Sequence, residues 1–232
     1  MRLYVPEFLA QEKAVVSFAK EQANHIKVRR LVVGDSLVVF NEANGEWQAT
    51  LINDKQAVLT KLLRHTEALA DIALIQPLIA KDRFHFVTEK SVELGVTEFY
   101  PLTTHYTQGS NYNAERTGQH IIEAAQQCER ICLPRLHSLQ SLSQLLRNWD
   151  SSRLIYVAIE RQDAPYMAAA FDKGHKAALL VGPEGGFTDA EKELLLSQSF
   201  VRPTSLGPRI LRSETAALTM LAVWQSLCGD LV

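Results

Sequence analysis

The sequence predicts an α/β fold in two parts. A small β-barrel occupies residues 1–70, and a parallel-sheet domain with helices on both faces occupies residues 71–232. Three observations predict it. Short apolar or alternating runs separated by turn residues fill the first third. From Ile72 onward such runs alternate with helical patterns, which implies a parallel sheet. With 232 residues, 47% apolar and 22% charged, the chain can bury a sizeable core and has an ordinary globular composition.

In the first part RLYV, AVVSF, SLVVFN, EWQATLI and DKQAVLTKLL read as strands. Asn44-Gly45 tolerates the positive φ of a tight hairpin, and Gly34-Asp35 marks a second turn. The boundary falls between Thr66 and Asp71. The strand IALIQPL follows, then a helix in KDRFHFVTEKSVELG with Asp82 as N-cap and Gly95 just past its end. Next come the strand VTEFYPL, the helix GQHIIEAAQQCERI, the strands RLIYVAI and AALLVG, the helix DAEKELLLSQS, the strand VRPTSL and a final helix. The polar segment Thr104–Gln119 reads as a long loop. It carries Tyr106 and Tyr112, aromatic faces on which a base could stack.

Several classes of function are disfavoured. No apolar run approaches the ~20 residues of a membrane span, and MRLYVPEFLAQEK lacks the apolar core of a signal peptide. A cytoplasmic location with no membrane partner is therefore expected. Cys128, Cys132 and Cys228 form no Cys-x-x-Cys pair and the seven His are scattered, so reduced thiols and no metal site are expected. The net charge of −2 argues against a protein that coats nucleic acid, but leaves room for a local basic patch.

The chemistry concentrates at two junctions near the C-terminus. In LLVGPEGGFTDAE a buried strand ends at Gly182-Pro183, and Thr188 with Glu191 forms a capping box for the next helix. The small residues between them expose backbone to a ligand at the carboxyl end of a parallel strand. Pro183 and Glu184 make a poor anion cradle, so a ligand with hydroxyls, amines or a cationic centre fits better than a triphosphate. In LGPRILRSETA, Gly207-Pro208 turns the chain, Ser213 is placed as N-cap and Glu214 favours the helix dipole. Arg209 and Arg212 are unfavourable ahead of a helix N-terminus. They call for an anion, either an RNA phosphate or Glu184 of the neighbouring loop. The last helix carries two apolar stripes, Ala217, Met220, Leu221, Trp224 and Cys228 on one side and Ala216, Thr219, Val223 and Leu227 on the other. A homodimer interface would account for the second stripe.

These two motifs closely resemble those of the bacterial 16S ribosomal RNA uridine-N3 methyltransferases of the SPOUT superfamily. KDRFHFVTEKSVELGVTEFYPL and NHIKVRRLVVGD are similar to further segments of that family, so the likeness spans the chain. The resemblance implies a PUA-like N-terminal barrel and a knotted (trefoil) SPOUT methyltransferase domain that binds S-adenosyl-L-methionine and dimerises through its last helix. It implies cofactor contacts at Leu180, Gly182, Glu184, Gly185, Gly186, Leu206, Gly207, Ile210, Leu211 and Thr215. It places Arg209, Arg212 and Glu214 at the transferred methyl, as catalytic residues. RNA contacts are expected at His25, Lys27, Arg29 and Arg30, with 16S ribosomal RNA in the small ribosomal subunit as partner. The chain departs from the family pattern in CERICLP and in HYTQGSNYN, which have fewer cations facing RNA. The competing readings are an RNA-binding or ribosome-assembly module without catalysis, and a SPOUT methyltransferase acting on another RNA site. The intact glycines and both arginines weigh against the first.

Overall fold

The computed structural model describes residues 1–66, 68–107, 112–160 and 162–231. Part of the loop expected over Thr104–Gln119 lies outside them. The chain divides into two compact units, Met1–Ala68 with Ala125–Leu133, and Leu69–Ala124 with Pro134–Val232. Residues 125–133, which the sequence reading placed in the second part, thus belong with the first.

The first unit contains β1 (Arg2–Tyr4), β2 (Val15–Ser17), α1 (Lys20–Val28), β3 (Ser36–Asn41), β4 (Gly45–Asn53) and β5 (Gln56–Arg64), in a sheet ordered β1-β3-β4-β5-β2. Alternation along the strands delivers Leu3, Val16, Leu37, Val39, Ala49, Leu51, Ala57 and Leu59 to one core, where each is at most 2% exposed. Gly45 has φ +74°, and a β-carbon there would collide with the Arg64 carbonyl, so the expected hairpin requires glycine. Glu46 is buried between the guanidinium groups of Arg2 and Arg64. Burial pushes its pKa up, but hydrogen bonds from Arg64 and Arg2 outweigh that and hold it below the usual carboxylate range. Arg2 also donates to the Ala125 and Arg130 carbonyls, and Arg64 to that of Glu129, which ties residues 125–133 to this unit.

Helix α1 was not expected. Its sequence buries only Ala23 and Ile26, too narrow a stripe to register as a periodic pattern, and Gln22 accepts a hydrogen bond from the Ala19 amide to start it.

The second unit holds β6 (Ile72–Pro77), α2 (Lys81–Glu93), β7 (Glu98–Thr103), α3 (Ala114–Gln127, ending in the first unit), β8 (Arg135–Leu136), β9 (Gln140–Ser141) and α4 (Leu142–Arg147). It continues through β10 (Leu154–Ala158), α5 (Met167–Ala170), β11 (Ala177–Val181), α6 (Asp189–Leu196), β12 (Val201–Thr204) and α7 (Ser213–Cys228). The sheet is parallel and ordered β12-β10-β11-β6-β7-β8, with β9 also on β7. Strand β11 enters between β6 and β10 after both have been laid down, which is consistent with the threading that the resemblance implies. Every residue of β6 and β11 is buried, as strands covered on both faces must be.

Alternate residues feed two cores. Ile72, Leu74, Leu179 and Val181 pack with Phe84 and Val87 of α2 and with Ala217, Met220, Leu221 and Trp224 of α7. Ala73, Ile75, Ala178 and Leu180 pack with Leu142, Leu145 and Leu146 of α4 and Leu195 of α6. Helix α2 starts two residues earlier than expected, from Ala80 as N-cap, with Asp82 inside its first turn; Gly95 follows the end with φ +82°. At the amino ends of the strands, Arg153 is 6% exposed and donates to Asp71, Glu98 and the Ala177 carbonyl, stapling four strands together. Among the described residues no helix is long and apolar enough to cross a membrane.

Candidate active site

A cleft of about 1010 Å3 opens at the carboxyl ends of β10, β11 and β12, where Ala158, Val181 and Thr204 form its floor. Open α/β sheets place their ligands at this end. The two loops singled out in the sequence frame it.

The first loop leaves β11 at Gly182. Gly186 donates to the Pro183 carbonyl at 2.9 Å and takes φ +70°, closing a tight turn that Phe187 anchors in the core. Thr188 then caps α6. Its hydroxyl accepts from the Glu191 amide at 3.2 Å, and the Glu191 carboxylate accepts from the Thr188 amide at 2.9 Å. The second carboxylate oxygen of Glu191 accepts from the His105 amide at 2.8 Å, which fixes the neighbouring segment. There Tyr106 is 47% exposed and packs on Gly185, while Tyr112 is turned inward, edge-on to Phe84. Tyr106 alone of the pair keeps an accessible face.

The second loop runs from β12 to α7. Gly207 takes φ +97°, and a β-carbon there would meet nothing within 4 Å, so the backbone borders open space. The amides of Arg209, Ile210 and Leu211 donate to none of the described groups, and Ile210 is 68% exposed although strongly apolar. Arg212, not Ser213, is the N-cap of α7. Ser213 lies one residue inside the helix, 4% exposed, with its hydroxyl accepting from Gln76 Nε2 at 3.1 Å. A buried side-chain partner has drawn the serine out of the capping role.

Of the residues expected at the site, Gly182, Glu184, Gly185, Gly186, Leu206, Gly207, Arg209, Ile210, Leu211 and Arg212 line the cleft. Leu180 does not: it is fully buried on the α4–α6 face of the sheet, and its neighbour Val181 is the strand residue at the cleft. Thr215 is exposed but outside the lining, and Glu214 is buried behind it at 9% exposure. In the first unit, His25 and Lys27 lie on the exposed side of α1, Arg29 is its C-cap and Arg30 follows with φ +58°. All four are exposed, and Lys27 pairs with Asp54 at 2.9 Å.

The sequence reading missed Arg83. It stands in the first turn of α2, lines the cleft, and brings Nη1 to 3.4 Å from Glu184 Oε1 and Nε to 3.7 Å from Glu214 Oε1. Glu184 was expected as a partner for Arg209 or Arg212. It pairs with Arg83 instead, and neither of those two arginines has an ion-pair partner among the described residues.

Residues 66–225 match the family model of the RNA methyltransferase domain, and residues 18–63 that of the RNA methyltransferase PUA domain. The chain belongs to this RNA methyltransferase family. A ribosomal RNA small subunit methyltransferase E from Rickettsia conorii is 30% identical to it, over 95% of this chain and 93% of that one. Its counterpart in Synechocystis is 32% identical, over 90% of this chain and 72% of the relative. A methyltransferase from Legionella pneumophila, solved in complex with the cofactor SAM, aligns with a TM-score of 0.89 at 30% identity, covering 99% of this chain and 98% of that one. The ribosomal RNA small subunit methyltransferase E from Neisseria gonorrhoeae, bound to S-adenosyl methionine, aligns at 0.89 with 25% identity, covering 100% and 99%.

Proposed function

We propose that this protein uses S-adenosylmethionine to methylate N3 of a uridine in 16S ribosomal RNA of the small ribosomal subunit, in the cytoplasm and as a homodimer. The observation that carries the reading is the pair of glycine-framed loops around one cleft, in a chain similar over its whole length to proteins solved with that cofactor.

The cleft fits the cofactor. Free amides at Ile210 and Leu211 suit the ring nitrogens of an adenine, exposed Ile210 can cover an aromatic face, and the open space beside Gly207 admits it. Glu184 suits a cationic ligand. Gly182, Gly185, Gly186 and Leu206 complete the wall. When bound, the cofactor supplies a methyl group already activated on a sulfonium.

The chain's own residues supply the rest. Uridine N3 is a weak acid, and its loss of a proton places negative charge on the base. Arg209 and Arg212, exposed at the cleft and without carboxylate partners among the described residues, are donors for that charge or for the phosphates beside it. Glu184 and Glu160 line the cleft; Glu184, on the glycine-framed loop, is better placed than buried Glu214 to accept the N3 proton. In the first unit, Arg29 and Arg30 are exposed cations, and His25 an exposed ring donor, suited to RNA phosphates; Lys27 has Asp54 as a competitor. On α7 the stripe Ala217, Met220, Leu221 and Trp224 is consumed by the core, while Thr219, Val223 and Leu227 remain half-exposed and suit a second copy.

Incubation with methyl-labelled cofactor and small ribosomal subunits tests the reading. Label should appear in 16S RNA as N3-methyluridine. Label in another nucleotide, or none in either subunits or free RNA, contradicts it.

A further inference from the structure

We infer that Arg83 is a positioning residue that occupies the carboxylates of Glu184 and Glu214, and so keeps Arg209 and Arg212 available to the RNA. The inference rests on the methyltransferase reading above.

Among the described residues, six charged side chains line the cleft: Arg83, Glu160, Glu184, Lys192, Arg209 and Arg212, with Lys192 paired to Asp189 of its own helix. Glu214 lies just behind, with Oε2 buried and without a partner. Two cations and two carboxylates in one cleft could neutralise each other, leaving nothing for a polyanionic substrate. The observed pairing avoids this. The guanidinium of Arg83 faces both carboxylates, at 3.4 Å and 3.7 Å, and the loop arginines face solvent.

The root of Arg83 is suited to that task. It is flanked by Phe84, which is 9% exposed and edge-on to Phe99, and α2 is further fixed through fully buried Val87. Arg209, by contrast, stands on a loop between exposed Pro208 and Ile210, and Arg212 is exposed at the N-cap of α7. The cation tied to a rigid helix takes the carboxylates, and the cations on the loop stay free. The Arg83–Glu184 pair is long and part-exposed and adds little to folding, so stability does not explain it.

Removing Arg83 has two consequences. Two carboxylates lose their cation and repel RNA phosphates, and Glu184 is left to draw Arg209 or Arg212 to itself. Both weaken RNA binding, the second wholly and the first in part through Glu184. A direct contact from Arg83 to RNA would not act through that carboxylate.

The test is equilibrium binding of 16S ribosomal RNA without cofactor, at one fixed salt concentration, for wild type, Arg83→Met, Glu184→Gln and the double variant. Arg83→Met should bind about tenfold more weakly, the size of one lost charged hydrogen bond, while retaining a cooperative melting transition. Adding Glu184→Gln should restore most of that loss. Wild-type affinity in Arg83→Met, or a loss that Glu184→Gln does not repair, overturns the inference. If the wild type binds neither free 16S RNA nor small ribosomal subunits, the proposed function fails instead. The Nε–H resonances of Arg209 and Arg212 then decide this point: they should shift in Arg83→Met and return in the double variant, and unmoved resonances overturn it.

Discussion

Gly185 and Tyr106 are packed so closely that no other residue fits the first position. A β-carbon on Gly185 would lie 2.7 Å from Tyr106 Cβ and 2.9 Å from its Cγ. Tyr106 cannot retreat freely, because the preceding amide is held by Glu191 and Thr104 is locked to Thr107. Gly185→Ala should therefore cost about 1–3 kcal/mol, the usual range for overpacking. Thermal melting of Gly185→Ala, Tyr106→Gly and the double variant checks this: the double should be more stable than the sum of the singles. Strict additivity would show that the two residues do not touch in solution.

Gly207 is required for a different reason. With φ +97° it adopts a backbone conformation that costs other residues about 1–3 kcal/mol, and valine would also fill the space beside it. Gly207→Val, like Gly182→Val, should abolish heat release on titration with S-adenosylmethionine while the variants remain folded. Unchanged binding in both would remove the two loops from the cofactor site.

The Arg212 guanidinium has no hydrogen-bond or ion-pair partner among the described residues. Arg212→Ala should bind the cofactor as wild type does, yet transfer methyl groups 10²–10³-fold more slowly, the typical loss of one preorganised donor. A fully active variant would exclude Arg212 from the chemistry.

The first unit has an acid-sensitive point at Glu46, 6% exposed between Arg2 and Arg64. Its pKa is held below the unfolded value of about 4.3, in spite of burial, by those two hydrogen-bonded cations. A carboxylate depressed in this way contributes stability that is present above the unfolded value and lost as pH falls through the folded one. Melting temperature should fall as pH drops below about 4.5. Glu46→Gln should flatten that dependence and cost about 3 kcal/mol at neutral pH, as breaking a buried ion pair does. An unchanged acid profile would show that Glu46 is not ionised in the fold.

The half-exposed stripe of Thr219, Val223 and Leu227 on α7 predicts a dimer. Sedimentation at micromolar concentration should give twice the 26.0 kDa chain mass. A monomeric mass contradicts the assignment, and Val223→Glu should dissociate the dimer without unfolding the core.

What could be read from the sequence was local. The Asn44-Gly45 hairpin, the Thr188–Glu191 capping box and Gly95 after α2 depend on residues within a few positions of one another, and each is found as expected. Helix α4 carried a similar signal, Ser141 capping with Gln144, that was overlooked. Three kinds of information were not local. Helix α1 is held by tertiary burial of two side chains. In β11 every residue is buried, so no alternation indicated that Leu180 faces the α4–α6 core and Val181 the cleft. Ser213 lost its expected role to Gln76, 137 residues away, and Glu184 found its partner in Arg83, 101 residues away. The loops of the site were legible because glycine and proline mark them; their charge pairing was not.

The central claim concerns the product. Mass-spectrometric mapping of 16S ribosomal RNA from cells with and without this protein tests it most directly. The account predicts one N3-methyluridine present with the protein and absent without it, restored by the wild type and not by Gly207→Val. Identical modification in both RNAs would contradict it.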